Sequence, residues 1–461
     1  MNAPITRLFV LVLVLFGVLV AFTSRWTVFE ADALRDNPNN RRVLFEEERI
    51  KRGIIRAADG QVLAANRRLP GERWARRYPT GELFAHPVGF TSLDRGRTGI
   101  EDYYNDPLTG RRTDAIGAFE RLLGPRNVGD DLRTTLSPEA QEAAYAGLAG
   151  RPGAVVALDV KTAAVRVLAA TPSYDPSKPA DAETFNRATQ GRFPPGSTFK
   201  TVTAAAALDS GRYEPGSQVS GENGKVISGT PLNNFGDEDF GQIDLTTALT
   251  NSVNTVWAEV AEKLGKETMG EYMTKFGFFV DPPMDYPDEQ MVPSGEYGPR
   301  GRLLPPTSGQ IDVGRMGIGQ DKLLVTPLQM ATVAQTIANG GMRMEPRLVE
   351  KVVDPDGRTI DEPLPEEAER VMSEDAASAL GDMMRNVVRE GTGTAAALEG
   401  VEVAGKTGTA EIDIGRGINT LWFIGFTDEV AVAAVVERQQ GGFGGTVAAP
   451  IAKSVLEALG Q

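Results

Sequence analysis

FPPGSTFKTVTAAAAL, residues 193–208, predicts a buried helix that begins at a serine. The Pro-Pro-Gly sequence stops the preceding chain, and the helix begins at Ser197. Four consecutive alanines, residues 204–207, let other elements approach closely, so we expect this helix in the middle of a domain. Ser197 and Lys200 are three positions apart and therefore lie on one face, about one turn from each other.

This pair of side chains can carry nucleophilic chemistry. A lysine buried at the positive end of a helix has its pKa lowered by desolvation and by the helix dipole. The neutral amine of Lys200 could then accept the proton of the Ser197 hydroxyl. The alternative is a serine that caps the helix and a lysine that extends to solvent, and the Ser-x-x-Lys spacing alone does not separate the two.

Strands at both ends of the region around this helix, with helices between them, predict an α+β fold: one antiparallel sheet covered by helices. The strands are predicted at 154–159, 164–170, 401–404, 420–426 and 430–437. The helices are predicted at 138–148 (capped by Ser137), 198–210, 245–264, 266–276, 326–339, 373–390 and 449–459. The intervening residues 277–315 are rich in Pro and Gly, and a loop of that length is usually functional or mobile.

A second polar motif is Asn251-Ser252-Val253-Asn254. Ser252 and Asn254 project to the same side if the segment is extended or forms a turn. A hydroxyl can relay a proton, and an amide can both donate to and accept from a peptide. Taken alone, the motif is better interpreted as a polar turn between helices.

A third motif is Ala404-Gly405-Lys406-Thr407-Gly408-Thr409, which we expect at the end of a strand. The glycines on both sides of Lys406 let other backbone approach closely. Lys406 supplies a fixed cation, and Thr407 and Thr409 supply hydroxyl donors suited to a carboxylate. The spacing does not match that of a phosphate-binding loop.

The composition excludes several kinds of chemistry. The chain has 461 residues, enough for two or three domains, and a net charge of −14, which argues against a nucleic-acid binder. It contains no Cys and a single His, His86, which excludes disulfides, thiolate nucleophiles and multi-histidine metal sites. A Ser-His-Asp triad would have to use His86. We predict neither a cofactor nor a metal ion.

An apolar segment near the amino terminus predicts a membrane anchor. Leu8 to Ser24 are 17 uncharged residues between Arg7 and Arg25, about 26 Å of helix, which just spans a thin hydrocarbon core. Trp26 stands where an interfacial aromatic residue belongs. The alternative is a cleaved signal peptide, but no convincing small-x-small cleavage site follows. Either interpretation places the remainder of the chain across a membrane.

The sequence therefore predicts three parts. Residues 1–25 are a cytoplasmic tip and a transmembrane anchor. Residues 26–130 form a small, slightly basic membrane-proximal domain, in which Ile54-Ile55, an Asp59-Gly60 turn and Val62 to Ala64 indicate a hairpin. Residues 131–461 form the larger, acidic domain that contains the three polar motifs.

The three motifs occur in the order found in the penicillin-binding proteins and serine β-lactamases, and the chain resembles the class B penicillin-binding transpeptidases over nearly its whole length. Its short front domain is most similar to that of the actinobacterial penicillin-binding protein A branch. Two departures, Ala57-Ala58 for the usual Asp-Arg and Asp321 where the family often has Gly, do not touch the proposed chemistry. The other matching segments are 52–55 with 59–60 and 63–64, 186–188, 319–320, 325–331, 338–341, 391–393 and 422–426.

The resemblance implies a penicillin-binding transpeptidase fold and a peptidoglycan D,D-transpeptidase activity. By that resemblance Ser197 attacks the D-Ala-D-Ala bond of a stem peptide, Lys200 is the base and Ser252 protonates the leaving D-alanine. The backbone N–H groups of Ser197 and Thr409 form the oxyanion hole. The remaining substrate-binding side chains are Asn254, for the acyl side chain, and Lys406, Thr407 and Thr409, for the terminal carboxylate. β-Lactams would acylate Ser197 and be released slowly.

The resemblance also implies a location and partners. We expect a single-pass protein of the bacterial cell membrane with its catalytic domain outside the cytoplasm, which acts in cell-wall synthesis and cell division. Expected partners are septal or elongation proteins, including a membrane-embedded glycan polymerase. Three alternatives stay open at this point: a serine β-lactamase, a D,D-carboxypeptidase, and a non-catalytic septal scaffold.

Overall fold

The computed structural model describes residues 2–26, 30, 47–92, 94–111, 128–179 and 184–461. Within these ranges the α-helices are α1 Asn2–Ser24, α2 Ala85–Val88, α3 Gly99–Tyr103, α4 Asn105–Leu108, α5 Pro138–Leu148, α6 Lys200–Asp209, α7 Leu245–Thr250, α8 Asn254–Lys275, α9 Val313–Met316, α10 Pro327–Ala338, α11 Glu374–Arg389 and α12 Gly444–Ala458.

The strands within the same ranges are mostly short, and the longest lie near the two ends of the larger domain. They are β1 Ile55–Arg56, β2 Val62–Leu69, β3 Arg73–Arg77, β4 Thr91–Ser92, β5 Gly96–Arg97, β6 Asp131–Thr134, β7 Gly153–Asp159, β8 Val165–Thr171, β9 Gln218–Ser220, β10 Lys225–Ile227, β11 Thr230–Leu232, β12 Gln242–Asp244, β13 Gly295–Glu296, β14 Leu323–Leu324, β15 Met342–Met344, β16 Val349–Val353, β17 Thr359–Asp361, β18 Glu367–Arg370, β19 Ala404–Asp413, β20 Ile418–Phe426 and β21 Val430–Gln440.

The large domain is built on a five-stranded antiparallel sheet with the order β19-β20-β21-β7-β8. Alternate residues of each strand enter two different cores, as the two-residue period of a strand requires. Val155 and Val432 pack with α5 and α12 on one face. Val156 and Ala433 pack with α6, α10 and α11 on the other. The α+β prediction is confirmed.

Helix α6 lies in the second core, as its alanines predict. Every residue from Lys200 to Leu208 is buried. The four alanines have no exposed surface, and helices α8 and α11 pack against this helix. The helix therefore carries Lys200 into the interior of the domain.

Two of the predicted elements are wrong in their bounds. The helix predicted at 245–264 is interrupted at Asn251–Val253, between α7 and α8, and α8 itself has a non-helical residue at Gly265. The strand predicted at 401–404 begins only at Ala404 and continues to Asp413, so the Lys406 motif lies within a strand rather than at its end.

The front part of the chain contributes to a second, six-stranded sheet with the order β17-β16-β6-β1-β2-β3. The hairpin predicted around Asp59-Gly60 is confirmed, since β1 pairs with β2 in antiparallel register. Strands β6, β16 and β17 come from beyond residue 130, so this sheet crosses the predicted boundary. The boundaries at 25 and 130 stay predictions, and residues 27–29, 31–46 and 112–127 of the front domain lie outside the described residues.

Helix α1 is the predicted anchor. Its residues Ala3–Ser24 are long and apolar enough to cross a membrane, and they are not buried against the rest of the protein. The helix is therefore compatible with a single membrane span.

Candidate active site

Ser197 lies in a 3-10 turn, Gly196–Phe199, that leads directly into α6. Lys200 is the first residue of α6 and lies three positions after Ser197, so the two residues lie on the same side of the chain. The turn is supported from behind, because the Gly196 N–H donates to Gly319 O at 3.0 Å. A Cβ on Gly319 would lie 1.9 Å from Gly196 O, so only glycine permits this approach.

The other side of this turn is attached to the central sheet. The indole Nε1 of Trp422, on β20, donates to Pro194 O at 3.0 Å. A Cβ on Gly408, on β19, would lie 2.6 Å from Pro195 O. The glycine after Lys406-Thr407 therefore brings the third motif into contact with the first.

Lys200 joins the first motif to the second. Its Nζ has no exposed surface and donates to Ser252 O and to Asn254 Oδ1, each at 2.7 Å, which accounts for both hydrogens of a neutral amine; Ser252 Oγ lies 3.1 Å from it. All three neighbouring oxygens are neutral. Burial, together with the positive charge of Lys406, lowers the pKa of Lys200 well below its usual value.

The break between α7 and α8 is what presents Ser252. Its backbone is left-handed, with φ +57°, a conformation that a residue other than glycine adopts only where its surroundings fix it. The Ser252 N–H donates to Leu249 O, and the Asn254 Nδ2 donates to Asn233 O at 3.1 Å. The Ser-x-Asn motif therefore lies at a turn, through which the helix predicted over 245–264 was expected to continue.

Lys406 is the second buried cation of the site. It has no exposed surface, and its Nζ donates to Thr407 O at 3.1 Å. Burial lowers the pKa of Lys406 to about 7. A bound carboxylate would offset this desolvation and restore the charge, which suits Lys406 to an anionic ligand.

The two threonines of the motif have partners that the sequence analysis did not single out. Thr407 Oγ1 and Thr392 Oγ1 share a hydrogen bond of 2.6 Å. Thr409 Oγ1 accepts from the N–H of Gly444 at 3.2 Å, which leaves its own hydrogen free to donate. Thr392 belongs to a segment that was noted in the sequence only for its resemblance to the family. The pair Gly444-Gly445 could have indicated that α12 approaches another element closely.

All seven site residues predicted from the sequence thus lie on elements that contact one another, and we refer to these seven residues together as the cleft. Ser197, Lys200, Ser252 and Asn254 stand on its helical side, and Lys406, Thr407 and Thr409 stand on strand β19. Within the described ranges, no group of three or more Asp, Glu, His or Cys side chains could hold a metal ion.

Comparisons with known proteins agree with this arrangement. Residues 153–457 match the penicillin binding protein transpeptidase domain, and residues 52–124 match the penicillin binding protein A dimerisation domain. The chain is 34% identical to the peptidoglycan D,D-transpeptidase PbpA of Mycolicibacterium smegmatis, over 99% of each chain.

Solved structures show the same likeness. Penicillin-binding protein A from M. tuberculosis, as its penicillin G acyl-enzyme complex, superposes with a TM-score of 0.78 at 31% identity, over 89% of this chain and 100% of the other. The D,D-transpeptidase domain of a peptidoglycan glycosyltransferase from Eggerthella lenta gives 0.77 at 30% identity, over 89% and 98%. From its motifs, its fold and these relatives, the chain belongs to the penicillin-binding transpeptidases, in the group of penicillin-binding protein A.

Proposed function

We propose that this protein cross-links peptidoglycan as a serine D,D-transpeptidase, with Ser197 as the nucleophile and Lys200 as its base. The observation that carries the assignment is the environment of Lys200. A lysine that is fully buried, faces only neutral acceptors and lies next to a second lysine has no structural benefit from its charge. Held neutral, it is a base one turn away from a serine hydroxyl.

In the first half of the reaction, Ser197 Oγ attacks the carbonyl carbon between the two terminal D-alanines of a stem peptide. Its proton passes to Lys200 Nζ as the Oγ–C bond forms. The negative charge that develops on the carbonyl oxygen is stabilised by the backbone N–H groups of Ser197 and Thr409, each worth roughly 3 kcal/mol. The C–N bond then breaks, and the D-alanine leaves.

Ser252 is proposed to return the proton to the departing amine. Its hydroxyl lies 3.1 Å from Lys200 Nζ, so a proton held by Lys200 can move through it. Asn254 is proposed to orient the acyl side chain. Its Oδ1 also accepts from Lys200, which gives this residue a second role in positioning the base.

The terminal carboxylate of the substrate is proposed to bind Lys406, Thr407 and Thr409. Buried Lys406 gains a counter-ion in this way, and the two hydroxyls can donate to the same carboxylate. In the second half of the reaction, the amine of another stem peptide attacks the acyl carbon and forms the cross-link, the bond from this carbon to Ser197 Oγ breaks, and the proton of the amine returns to Oγ through Lys200. β-Lactams, which imitate D-Ala-D-Ala, react with Ser197 in the first half.

The assignment is tested by locating the acylated residue. After incubation of the full chain with penicillin, mass spectrometry of its peptides should find the adduct on Ser197. Ser197→Ala should show no adduct while its thermal unfolding stays cooperative, and persistent labelling would contradict the proposal. The product formed from the acyl group distinguishes this activity from the alternative activities. A transpeptidase transfers the acyl group to an added amine, whereas a carboxypeptidase or a β-lactamase transfers it to water.

Helix α1 is proposed to anchor the protein, with the catalytic domain outside the cytoplasm. A reporter that is active only outside, fused after Gln461, should be active. A released soluble form beginning near Arg25 would show instead that the segment is cleaved.

The front domain is proposed to dock septal or elongation proteins, among them a glycan polymerase. The alternative is a spacer that lifts the active site toward the glycan layer. Exchange of this domain for an unrelated spacer of similar length separates the two. A chimera that acylates but does not restore growth supports docking, and one that does both contradicts it.

A further inference from the structure

Glu296 is a buried carboxyl group that the proposed mechanism does not use. Its side chain has no exposed surface, and neither carboxyl oxygen has a well-formed hydrogen bond among the residues that the structure describes. The backbone N–H of Lys322 lies near the carboxyl group and favours its charged form, but burial outweighs this effect. It lies on β13, opposite Leu323 of β14. An unpaired carboxylate in such a position is costly, so the group favours its neutral, protonated form.

The charged groups that face Glu296 reinforce this preference. They are Asp321 and Lys322, just before β14, and Asp312, which precedes α9. Burial and then the negative charge of Asp321 raise the pKa of Glu296 to about 8, while Lys322 acts in the opposite direction. The Asp321 carboxylate is held in place, because it pairs with Lys322 Nζ at 3.0 Å and accepts from the Asp312 N–H at 3.2 Å.

The segment that Glu296 faces also supports the nucleophile. Residues 319–322 begin with Gly319, whose carbonyl accepts from Gly196 next to Ser197. They end with Lys322, whose carbonyl accepts from the N–H of Tyr297, next to Glu296, at 2.9 Å. Glu296 and the Ser197 turn are thus attached to opposite ends of one four-residue loop.

This loop has little freedom to adjust. Gly319 lies against Gly196 without room for a Cβ. Asp321 has φ +64°, a strained conformation for a residue other than glycine. A disturbance near Glu296 therefore reaches the backbone that places Ser197.

We propose that Glu296 is a positioning residue for the Ser197 turn: protonated, it packs against the loop 319–322 and keeps Gly319 in place, and its ionisation releases this support. When Glu296 loses its proton, a negative charge forms beside Asp321 and Asp312 in a site closed to water. The loop must then move to admit water, and the contact between Gly319 and Gly196 loosens. The inference rests on the proposed function of Ser197.

The test is the pH dependence of the maximal acylation rate constant of the full chain, measured at saturating concentrations of a fluorescent penicillin so that the effect of Lys406 on binding does not contribute. The wild-type rate constant should fall above about pH 8, by up to tenfold per pH unit. Glu296→Gln, a neutral residue of the same shape, should keep the rate at pH 7 and lose this fall. Lys200 and Lys406 are present in both proteins, so the difference between the two profiles reports Glu296. The same alkaline fall in both proteins would overturn the proposal.

Two further measurements keep the proposal testable if Glu296→Gln folds poorly. Asp321→Gly removes the neighbouring charge and suits the positive φ, so it should lower the pKa of Glu296 and move the alkaline fall to lower pH. A fall that stays in place or moves to higher pH would contradict the proposal. Glu345→Gln, a matched change on a half-buried glutamate outside this loop, should leave the profile as in the wild type.

Thermal unfolding supplies a readout that does not depend on catalysis. Glu296 stays protonated in the folded protein up to about pH 8, whereas in the unfolded chain it ionises near pH 4.3. Glu296→Gln should therefore gain melting temperature over the wild type progressively between these pH values, and a constant difference would count against the proposal. Labelling of Ser197→Ala would instead refute the proposed function, which keeps the two failures distinct.

Discussion

Two buried groups of charged residues show that burial of charge can serve two purposes, to hold a fold together and to create reactive groups. Beside the front sheet, Glu101 of helix α3 has no exposed surface and binds two guanidinium groups, with Arg52 Nη2 at 3.0 Å and Nε of Arg76, on strand β3, at 2.5 Å. In the cleft, Lys200 and Lys406 are equally buried, but their acceptors are hydroxyl, amide and carbonyl oxygens. The first group keeps its charges by pairing them, whereas the second group lacks a carboxylate.

The difference appears in the protonation states. Burial raises the pKa of Glu101, but Arg76 and Arg52 outweigh it, so the pKa of Glu101 ends below its usual value. In the cleft nothing offsets burial, and the pKa of both lysines falls. Paired charges hold the front sheet together, and unpaired charges create a base and an anion site.

Lys200→Arg tests the cleft most severely. Arginine keeps the positive charge but does not lose its proton, so the base disappears. We expect the rate of acylation by penicillin to fall by about 10³- to 10⁴-fold. Stopped-flow or gel measurements of the covalent adduct give this rate.

Lys453→Arg is the matched control, because this lysine lies on the exposed side of α12 beside Glu457. Its rate of acylation should equal that of the wild type. Near-normal acylation of Lys200→Arg would mean that Lys200 has only a structural role.

Glu101→Gln tests the front sheet. Loss of the carboxylate leaves the buried guanidinium group of Arg76 without a counter-ion among the described residues and leaves Arg52 only Glu47, at 3.7 Å. Breaking a buried pair in this way costs about 3–5 kcal/mol in the free energy of unfolding. Denaturant unfolding of the full chain measures this change. The rate of acylation by the protein that remains folded should not change, because Glu101 is remote in the sequence from the cleft motifs and contacts none of them.

An exposed pair supplies the comparison for this change. Glu402→Gln removes the partner of Arg389 and Arg385 at the surface, where water screens the ion pairs, so its effect on the free energy of unfolding should be much smaller. Equal effects of the two substitutions would refute the distinction between buried and exposed pairs.

The sequence predicted the local parts of this site better than the distant ones. Ser197 and Lys200 are three residues apart, so one helix turn sets their relation. The break at Ser252 was missed because residues 245–264 have a continuous helical pattern, and the left-handed backbone of Ser252 depends on contacts with Lys200 from another helix.

The same distinction applies to the sheets. The hairpin of β7 and β8 was predicted because four residues separate two apolar runs. The six-stranded sheet was not, because Ile55 pairs with Leu132 and Leu132 pairs with Val352, across distances in the chain that carry no periodic signal. Thr392 and Gly444 were overlooked as partners of Thr407 and Thr409 for the same reason.

The pH dependence of substrate binding tests the difference between paired and unpaired buried charges at Lys406. Because its pKa lies near 7, Lys406 is charged below that pH and neutral above it. The concentration of a carboxylate-bearing substrate that gives half the maximal acylation rate should therefore rise above pH 7, by up to tenfold per unit. A series of rate measurements between pH 6 and 9 gives the profile.

Lys406→Arg is the control for this profile, since arginine stays charged over the whole range. Its half-saturating concentration should be independent of pH between 6 and 9. A wild-type profile without any rise would contradict the assignment of Lys406 to the carboxylate.

Thr392→Val should have the smallest effect of these substitutions, and it measures how much a neutral hydrogen bond contributes beside two buried cations. The substitution removes the 2.6 Å contact with Thr407 Oγ1 while keeping the shape of the side chain. A neutral hydrogen bond is worth about 1 kcal/mol, so we expect acylation by a carboxylate-bearing substrate to weaken about fivefold, through a less well-placed Thr407. Thr392→Ser keeps the hydroxyl and should restore the rate, and Thr394→Val, on the exposed surface two residues away, should not alter it. If the acylation rate of Thr392→Val instead fell as far as that of Lys200→Arg, the hydroxyl of Thr392 would be part of the proton path. Thr392 would then act in catalysis rather than as a neutral support for Thr407.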